Sequence, residues 1–241
     1  MDDEIFGFDL NRAWDYENGF HLTSHPTRIA KILGQYDVYR RIVGLPGAIV
    51  EVGVFKGASL IRLATFREVT ESPYSRPIIG FDAFGSFPVL GDAADAAYIE
   101  RFQAASGHGI SQSELERALE VKGFRNVELV AGDLTKTVGA YLETHPELRI
   151  ALLHIDVDVY EPTRSALEAL WTRIVRGGIV MLDDYGTVAG ETRAVEEFFA
   201  DQDVLIEKPP TSHVSAFIVK GERNGTSHPP LATSRERTPE A

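Results

Sequence analysis

Two pairs of aspartates carry the chemistry most open to this sequence: Asp156 and Asp158 in LLHIDVDVY, and Asp183 and Asp184 in GIVMLDDYG. Each pair follows an apolar run, so each stands at the carboxyl end of an expected strand. If those strands are neighbours, about 4.8 Å apart, four carboxylates converge on one edge of a sheet. Such crowding is costly unless a cation or protons neutralise it. Acids after strands also cap helices, but capping does not call for a pair on each of two strands. The donors are hard oxygens, from Asp156 and from Asp183 or both members of that pair, which suits Mg2+ or Ca2+ better than Zn2+. His154 faces the same side but deeper, and reads as a satisfied core histidine rather than a ligand.

A second group precedes these. EVGVFKGAS, residues 51–59, reads as a strand entering a glycine turn and then a helix whose free N–H groups face an anion. Gly53 lets the backbone approach a ligand closely, and Gly57 permits tight packing. The spacing is G-x-x-x-G rather than G-x-G-x-x-G, which favours a carboxylate over a pyrophosphate. Asp82, after the next strand, can accept both hydroxyls of a ribose. Asp133 follows the third strand, where it serves an adenine amino group or simply caps a helix. Singly, each acid reads equally as a cap; together they describe a site for a nucleoside with a charged tail.

These side chains need a sheet to hold them. Short apolar or β-branched runs bounded by Gly, Pro and Asp recur at 48–52, 77–81, 126–130, 149–155, 178–182, 204–206 and 215–219. Helical patterns separate several of them. The clearest spans 162–175, with proline in its first turn, an apolar face of Ala166, Leu167, Leu170, Trp171 and Ile174, and Gly177–Gly178 behind it. Alternating strands and helices predict an α/β fold: a seven-stranded, mostly parallel sheet covered by helices on both faces. Only a short segment separates the last two strands, so they should pair antiparallel. The connection 83–123 is long; it holds a helical pattern near 111–121, and its first half reads as a flexible cover over the site.

Bulk properties agree. The chain has 241 residues and 44% hydrophobic content, enough for one substantial core. Its formal charge of −12, from 24 Lys and Arg against 36 Asp and Glu, disfavours nucleic acid and anionic membranes. The absence of cysteine excludes disulfides, thiolate metal sites and cysteine nucleophiles. No apolar run reaches membrane-spanning length and the start is acidic, so a soluble, cytoplasmic protein is expected. Residues 1–46 read as a helical leader, 47–220 as the main domain, and 221–241 as a flexible polar tail.

HIDVDVYEPTRSALEALWTRIVRGGIVMLDDYG together with EVGVFKGAS resembles the TylF and NovP type of Mg2+-dependent sugar O-methyltransferases, over about residues 20–219. The resemblance implies a class I methyltransferase of Rossmann-like fold that uses S-adenosylmethionine and Mg2+. It implies that Asp156, Asp183 and Asp184 bind the metal and that Asp158 is the general base. Glu51, Gly53, Ser59, Asp82 and Asp133 would line the cofactor site, with Asp156 beside it. A more distant likeness to catechol O-methyltransferases places Ser59 on the methionine carboxylate. Those enzymes carry a catalytic lysine where this chain has Val159, which argues against catechol chemistry by that route. The leader, similar to one in TylF-type proteins, is expected to cover the site and make contacts in a homo-oligomer. His21, His25 and Arg28 are candidate substrate contacts, although a helix start explains such residues as well. The expected acceptor is a small-molecule sugar or sugar nucleotide of antibiotic biosynthesis, with a TDP-linked deoxysugar such as TDP-rhamnose favoured. Two other readings stand beside this one. Asp156-Val157-Asp158 is also the D-x-D of metal-dependent glycosyltransferases, and a cofactor-binding module without turnover would keep the same fold.

Overall fold

The computed structural model describes residues 3–85, 87, 92–212 and 214–221. Residues 222–241 of the tail expected over 221–241, and residues 86 and 88–91 of the cover, lie outside them. A short hairpin, β1 (Glu4–Ile5) and β2 (Phe8–Asp9), precedes α1 (Ala13–Thr23) and α2 (Pro26–Ile42). The body alternates strand and helix: β3 (Ala48–Val52), α3 (Ala58–Thr70), β4 (Ile78–Asp82), α4 (Ala93–Ser106), α5 (Gln112–Val121), β5 (Val127–Ala131), α6 (Leu134–Thr144), β6 (Ile150–Ile155), α7 (Tyr160–Leu170), β7 (Ile174–Leu182), α8 (Ala189–Phe199), β8 (Ile206–Glu207) and β9 (Ala216–Val219).

The seven strands from β3 onward form one sheet in the order β5-β4-β3-β6-β7-β9-β8. β3 to β7 run parallel, and β9 is antiparallel to both β7 and β8. The α/β expectation, including the antiparallel pair, is therefore borne out. The chain winds outward from β3 to β5, then returns to place β6 on the other side of β3. That reversal opens a crevice at the carboxyl ends of β3 and β6, where such sheets bind ligands.

Period-two alternation divides the core into two layers. Val50, Val52, Phe81, Leu153, Ile155, Val180 and Leu182 pack with Ala166, Leu167 and Leu170 of α7 and Val195 and Phe199 of α8. Ile49, Ile78, Leu152, Ile179 and Met181 face Val38, Tyr39 and Ile42 of α2 and Leu60, Leu63 and Ala64 of α3. The carboxyl half of α2 thus belongs to the core, although the sequence sets it in a leader.

Two expectations change. The helix expected over 162–175 ends at Leu170: Trp171 lies in a 3-10 turn, and Ile174 opens β7, where it pairs with Ile150. Ile174 fits the helical apolar phase, but its ladder partner on β6 outweighs that local preference. The cover, expected to be flexible in its first half, contains α4, capped by Asp92 and ended by Gly107. Only Asp95 and Ile99 of that helix are buried, so little apolar periodicity announces it.

Candidate active site

A cavity of about 440 Å³ opens at the crevice between β3 and β6. Gly53, Ser59, Asp82, Asp133, Asp156, Asp158, Asp183 and Asp184 all line it. Of the acids, glycine and serine predicted for the site, Glu51 alone is absent from its wall.

Gly53 closes β3 with φ of +85°. A Cβ there would lie 1.9 Å from the carbonyl oxygen of Asp156, so the ends of β3 and β6 touch backbone to backbone. The Gly53 N–H donates to Phe81 (2.9 Å) and the Asp156 N–H to Val52 (2.9 Å), which stitches three strand ends together. Asp82 then fixes the turn itself. Its Oδ2 accepts the Val54 and Phe55 N–H groups (2.7 and 2.9 Å), and its Oδ1 accepts that of Phe84 (2.7 Å). Much of its accepting capacity is spent on backbone, with the remainder turned to the cavity. Asp133 caps α6 through the Thr135 N–H (3.1 Å) and pairs with Lys136 (2.8 Å), which together with Thr135 hold its carboxyl below the usual range. The capping reading of Asp133 is realised at the edge of the same cavity.

Glu51 lies beneath the wall, fully buried on β3. Its Oε1 accepts from His154 Nδ1 on β6 (2.8 Å), and its Oε2 has no partner in the structure. His154 Nε2 stands 3.5 Å from Asp183 Oδ1, too far for a strong hydrogen bond. Burial opposes charge on this imidazole, but the Asp183 and Glu51 carboxylates outweigh it and raise the pKa to about 10. His154 is thus a core residue walled inside the sheet, satisfied at Nδ1 by Glu51 but without a hydrogen-bond partner at Nε2, and Glu51 supports the floor rather than facing a ligand.

The four acids line one cavity in two overlapping groups. Asp156, Asp158 and Asp184 each bring one oxygen within 4.8 Å of the others, and Asp156 and Asp183 form a second such group with His154. Asp183 also accepts from Ser215 Oγ (2.8 Å) and from Lys31 Nζ (2.5 Å). Burial works against its charge, but His154 and Lys31 prevail and hold its carboxyl well below the ordinary value. Asp158 sits at φ of +64°, a left-handed conformation that costs about 1–2 kcal/mol without glycine. Tyr98 of α4 donates its hydroxyl to Asp158 Oδ1 (2.9 Å). Glu191, fully buried on α8, ties the two acidic loops: its N–H donates to the Asp158 carbonyl (3.2 Å) and its Oε1 accepts the Asp184 N–H (3.0 Å).

This donor set fits a divalent cation. Burial, then the charges of Asp158 and Asp183, push Asp184 up to about 8, and burial with Asp183 raises Asp156 well above its usual value. Between the ordinary carboxyl value and about 8, the folded chain keeps a proton on Asp184 that the unfolded chain has lost. That contribution to stability is complete at low pH and disappears as pH rises through about 8. A divalent ion relieves the repulsion that then appears. Added Mg2+ should therefore raise the melting temperature of the chelator-treated protein more at pH 8 than at pH 6. Equal shifts at both values, or none, would remove the ion from this cluster.

Lys31, Arg62, Tyr98 and Glu191 come from helices rather than from the strand ends, and no motif marks them. Among the leader candidates, Arg28 lines the cavity, whereas His25 caps α2 through the Thr27 N–H (3.4 Å) and His21 is exposed on α1. The cover is pinned where it crosses the site. Asp95 accepts the Tyr160 N–H (2.8 Å), capping α7 where Val159 has no side chain to do so, and the Phe102 ring lies 5.3 Å from that of Phe55.

Comparison with known proteins follows the same residues. A 4′-O-methyltransferase of 8-demethyl-8-(2,3-dimethoxy-α-L-rhamnosyl)-tetracenomycin C from Streptomyces olivaceus is 32% identical over 59% of this chain and 54% of its own. Demethyldecarbamoylnovobiocin O-methyltransferase from Streptomyces niveus is 28% identical over 68% of this chain and 62% of its own. The chain thus spans a little over half the length of these curated relatives. The solved structure of CalS11, described as a TDP-rhamnose 3′-O-methyltransferase of calicheamicin biosynthesis, superposes with a TM-score of 0.64 at 28% identity, covering 87% of each chain. Among the described residues, no helix is long and apolar enough to cross a membrane. The family model for macrocin O-methyltransferase (TylF) matches residues 36–216, from the core half of α2 through the strands that lead to the cavity's acids to the start of β9, and this chain belongs to that family.

Proposed function

We propose that this protein transfers the methyl group of S-adenosylmethionine to a hydroxyl of a deoxysugar in antibiotic biosynthesis, with Mg2+ held by Asp156, Asp183 and Asp184 and with Asp158 as general base. The observation that carries this reading is the meeting, in one cavity, of the Gly53 turn with four acids from two adjacent strands. Family membership and the sugar acceptors in the relatives' names support it. A nucleotide-linked sugar is the favoured acceptor.

When bound, the sulfonium donor supplies an electrophilic methyl and the cation lowers the pKa of the acceptor hydroxyl and fixes its position. The chain's own residues do the rest. Gly53, Ser59, Asp82 and Asp133 line the side of the cavity assigned to the donor. Asp158 takes the hydroxyl proton on its carboxylate, which the Tyr98 hydroxyl orients. Burial raises the Asp158 carboxyl against the hydrogen bonds from Tyr98 and Asp184, making it a stronger base. Lys31 balances part of the acidic charge, and Phe55 and Phe102 give the cavity an apolar edge. Exposed Trp14 (73%) and Leu22 (84%) on α1, which buries no residue, fit the expected contact with another copy of the chain.

The test is an acceptor panel of TDP-deoxysugars and neutral glycosides, incubated with donor and Mg2+ and read by mass. One added methyl, lost on chelation, is expected on at least one sugar. Transfer that persists in chelator would remove the metal, and donor binding without transfer to any sugar would remove the acceptor class.

A further inference from the structure

We infer that Arg28 and Arg62 form a seat for an anionic group carried by the acceptor: a phosphate or diphosphate on the anomeric oxygen of the sugar. Naming the acceptor as the bearer rests on the methyl-transfer reading above; the seat itself rests on geometry. Arg28, Lys31 and Gln35 recur at intervals of three and four along α2, so they share one helix face. Two of the three are anchored. Lys31 reaches Asp183 at the acid cluster, and Gln35 Oε1 accepts from the Arg62 guanidinium on α3. Arg28 completes the stripe at its outer end, and both Arg28 and Arg62 line the cavity.

Neither guanidinium pairs with a carboxylate among the described residues, in a chain of net charge −12 and a cavity lined with aspartates. Arg62 is half-buried, held by a glutamine that is 1% exposed and whose Nε2 has no partner among the described residues. Burial and the nearby Arg28 pull its charge down, against the pull of Glu51. Glu51, Asp183 and Asp156 attract Arg62 from a distance, yet none pairs with either guanidinium, so both forks keep donors for an anion. The planar guanidinium fork matches the oxygens of a phosphate or carboxylate and little else.

Placement selects the source of those oxygens. Lys31 marks the end of the cavity where a hydroxyl meets Asp158, Asp183 and Asp184, and Arg28 stands about 5 Å further along α2, one helical turn outward. A pyranose bound with its reacting hydroxyl at the acids can extend its anomeric substituent along the cavity toward the arginines. A neutral glycoside leaves both arginines without a partner there. The competing source is the methionine carboxylate of the donor, because Ser59 lies three residues before Arg62 on the same helix.

Calorimetry on the full chain in chelator separates the two, with thymidine diphosphate and S-adenosylhomocysteine as separate probes and thymidine as the phosphate-free control. Arg28→Met and Arg62→Met should each weaken thymidine diphosphate about tenfold or more, Arg62→Lys should recover part of the loss, and S-adenosylhomocysteine should bind as to wild type. Arg28 is exposed, so its variant reports even if Arg62→Met does not fold. Weaker S-adenosylhomocysteine with unchanged thymidine diphosphate would hand the seat to the donor carboxylate and overturn the inference. So would wild-type protein that binds the diphosphate no better than thymidine. Absence of S-adenosylhomocysteine binding to wild type would instead sink the methyl-transfer reading, leaving an arginine-dependent diphosphate site intact.

Discussion

Asp158→Asn is expected to lower kcat by about 10²- to 10⁴-fold, the usual worth of a general base, while donor affinity and the stabilisation by Mg2+ stay at wild-type levels. The substitution is unusually clean. Asparagine tolerates the left-handed backbone that Asp158 adopts at φ of +64°, so no new strain enters. The amide matches the carboxylate in size, and its oxygen can still accept the Tyr98 hydroxyl, now 2.9 Å away. What disappears is an ionisable oxygen. The pH profile should report the same loss. Because burial raises the Asp158 carboxyl, wild-type activity climbs with pH as that group gives up its proton, and the variant should lack this rising limb. Unchanged kcat would end the assignment of base. Loss of the Mg2+-dependent melting shift would make Asp158 a metal ligand, which its place beside Asp156 and Asp184 permits.

The parts of this site that sequence discloses are those set by chain direction. An apolar run followed by an acid places that acid at a strand end, and parallel strands bring such ends to one edge; Asp156, Asp158, Asp183 and Asp184 follow from this alone. Side chains whose task depends on a distant partner stay hidden. Lys31 meets Asp183 across 152 positions and Tyr98 meets Asp158 across 60, and neither carries a local signal. Glu51 looks like a ligand-facing acid after a run of strand residues, yet its neighbour in register is His154, and the two share a hydrogen bond inside the sheet. Asp82 was readable as a ribose acceptor; that it also anchors three backbone N–H groups of the preceding turn depends on β3 and β4 lying side by side. α4 escaped because its alanine-rich surface packs an aromatic edge over the cavity instead of an apolar stripe against the core.

α2 unites these hidden contributions. Its carboxyl half fills the core under the sheet, and its amino half carries Arg28 and Lys31 to the cavity. Core packing therefore sets the position of the cations relative to the acids, which a loosely docked leader could not do.

Gly53→Ala is expected to be the most damaging single-methyl change in the chain, destabilising the fold by about 3 kcal/mol or more. Two costs add. A non-glycine residue at φ of +85° loses about 1–2 kcal/mol. The new methyl would also stand 1.9 Å from the Asp156 carbonyl oxygen and 2.6 Å from its carbon, and overpacking a rigid neighbour adds about 1–3 kcal/mol. The obstacle is backbone, so no side-chain rotamer relieves it. Relief requires the end of β6 to retreat from β3, and that movement carries Asp156 away from Asp183 and Asp184 while widening the turn that Asp82 holds. A urea titration should show the lower midpoint. Whatever fraction still folds should bind both Mg2+ and S-adenosylhomocysteine more weakly, because one displacement disturbs both halves of the cavity. A variant with wild-type midpoint and wild-type affinity for both would mean that β3 and β6 do not meet at Gly53, and the convergence of acids and glycine turn on a single reacting centre would go with it.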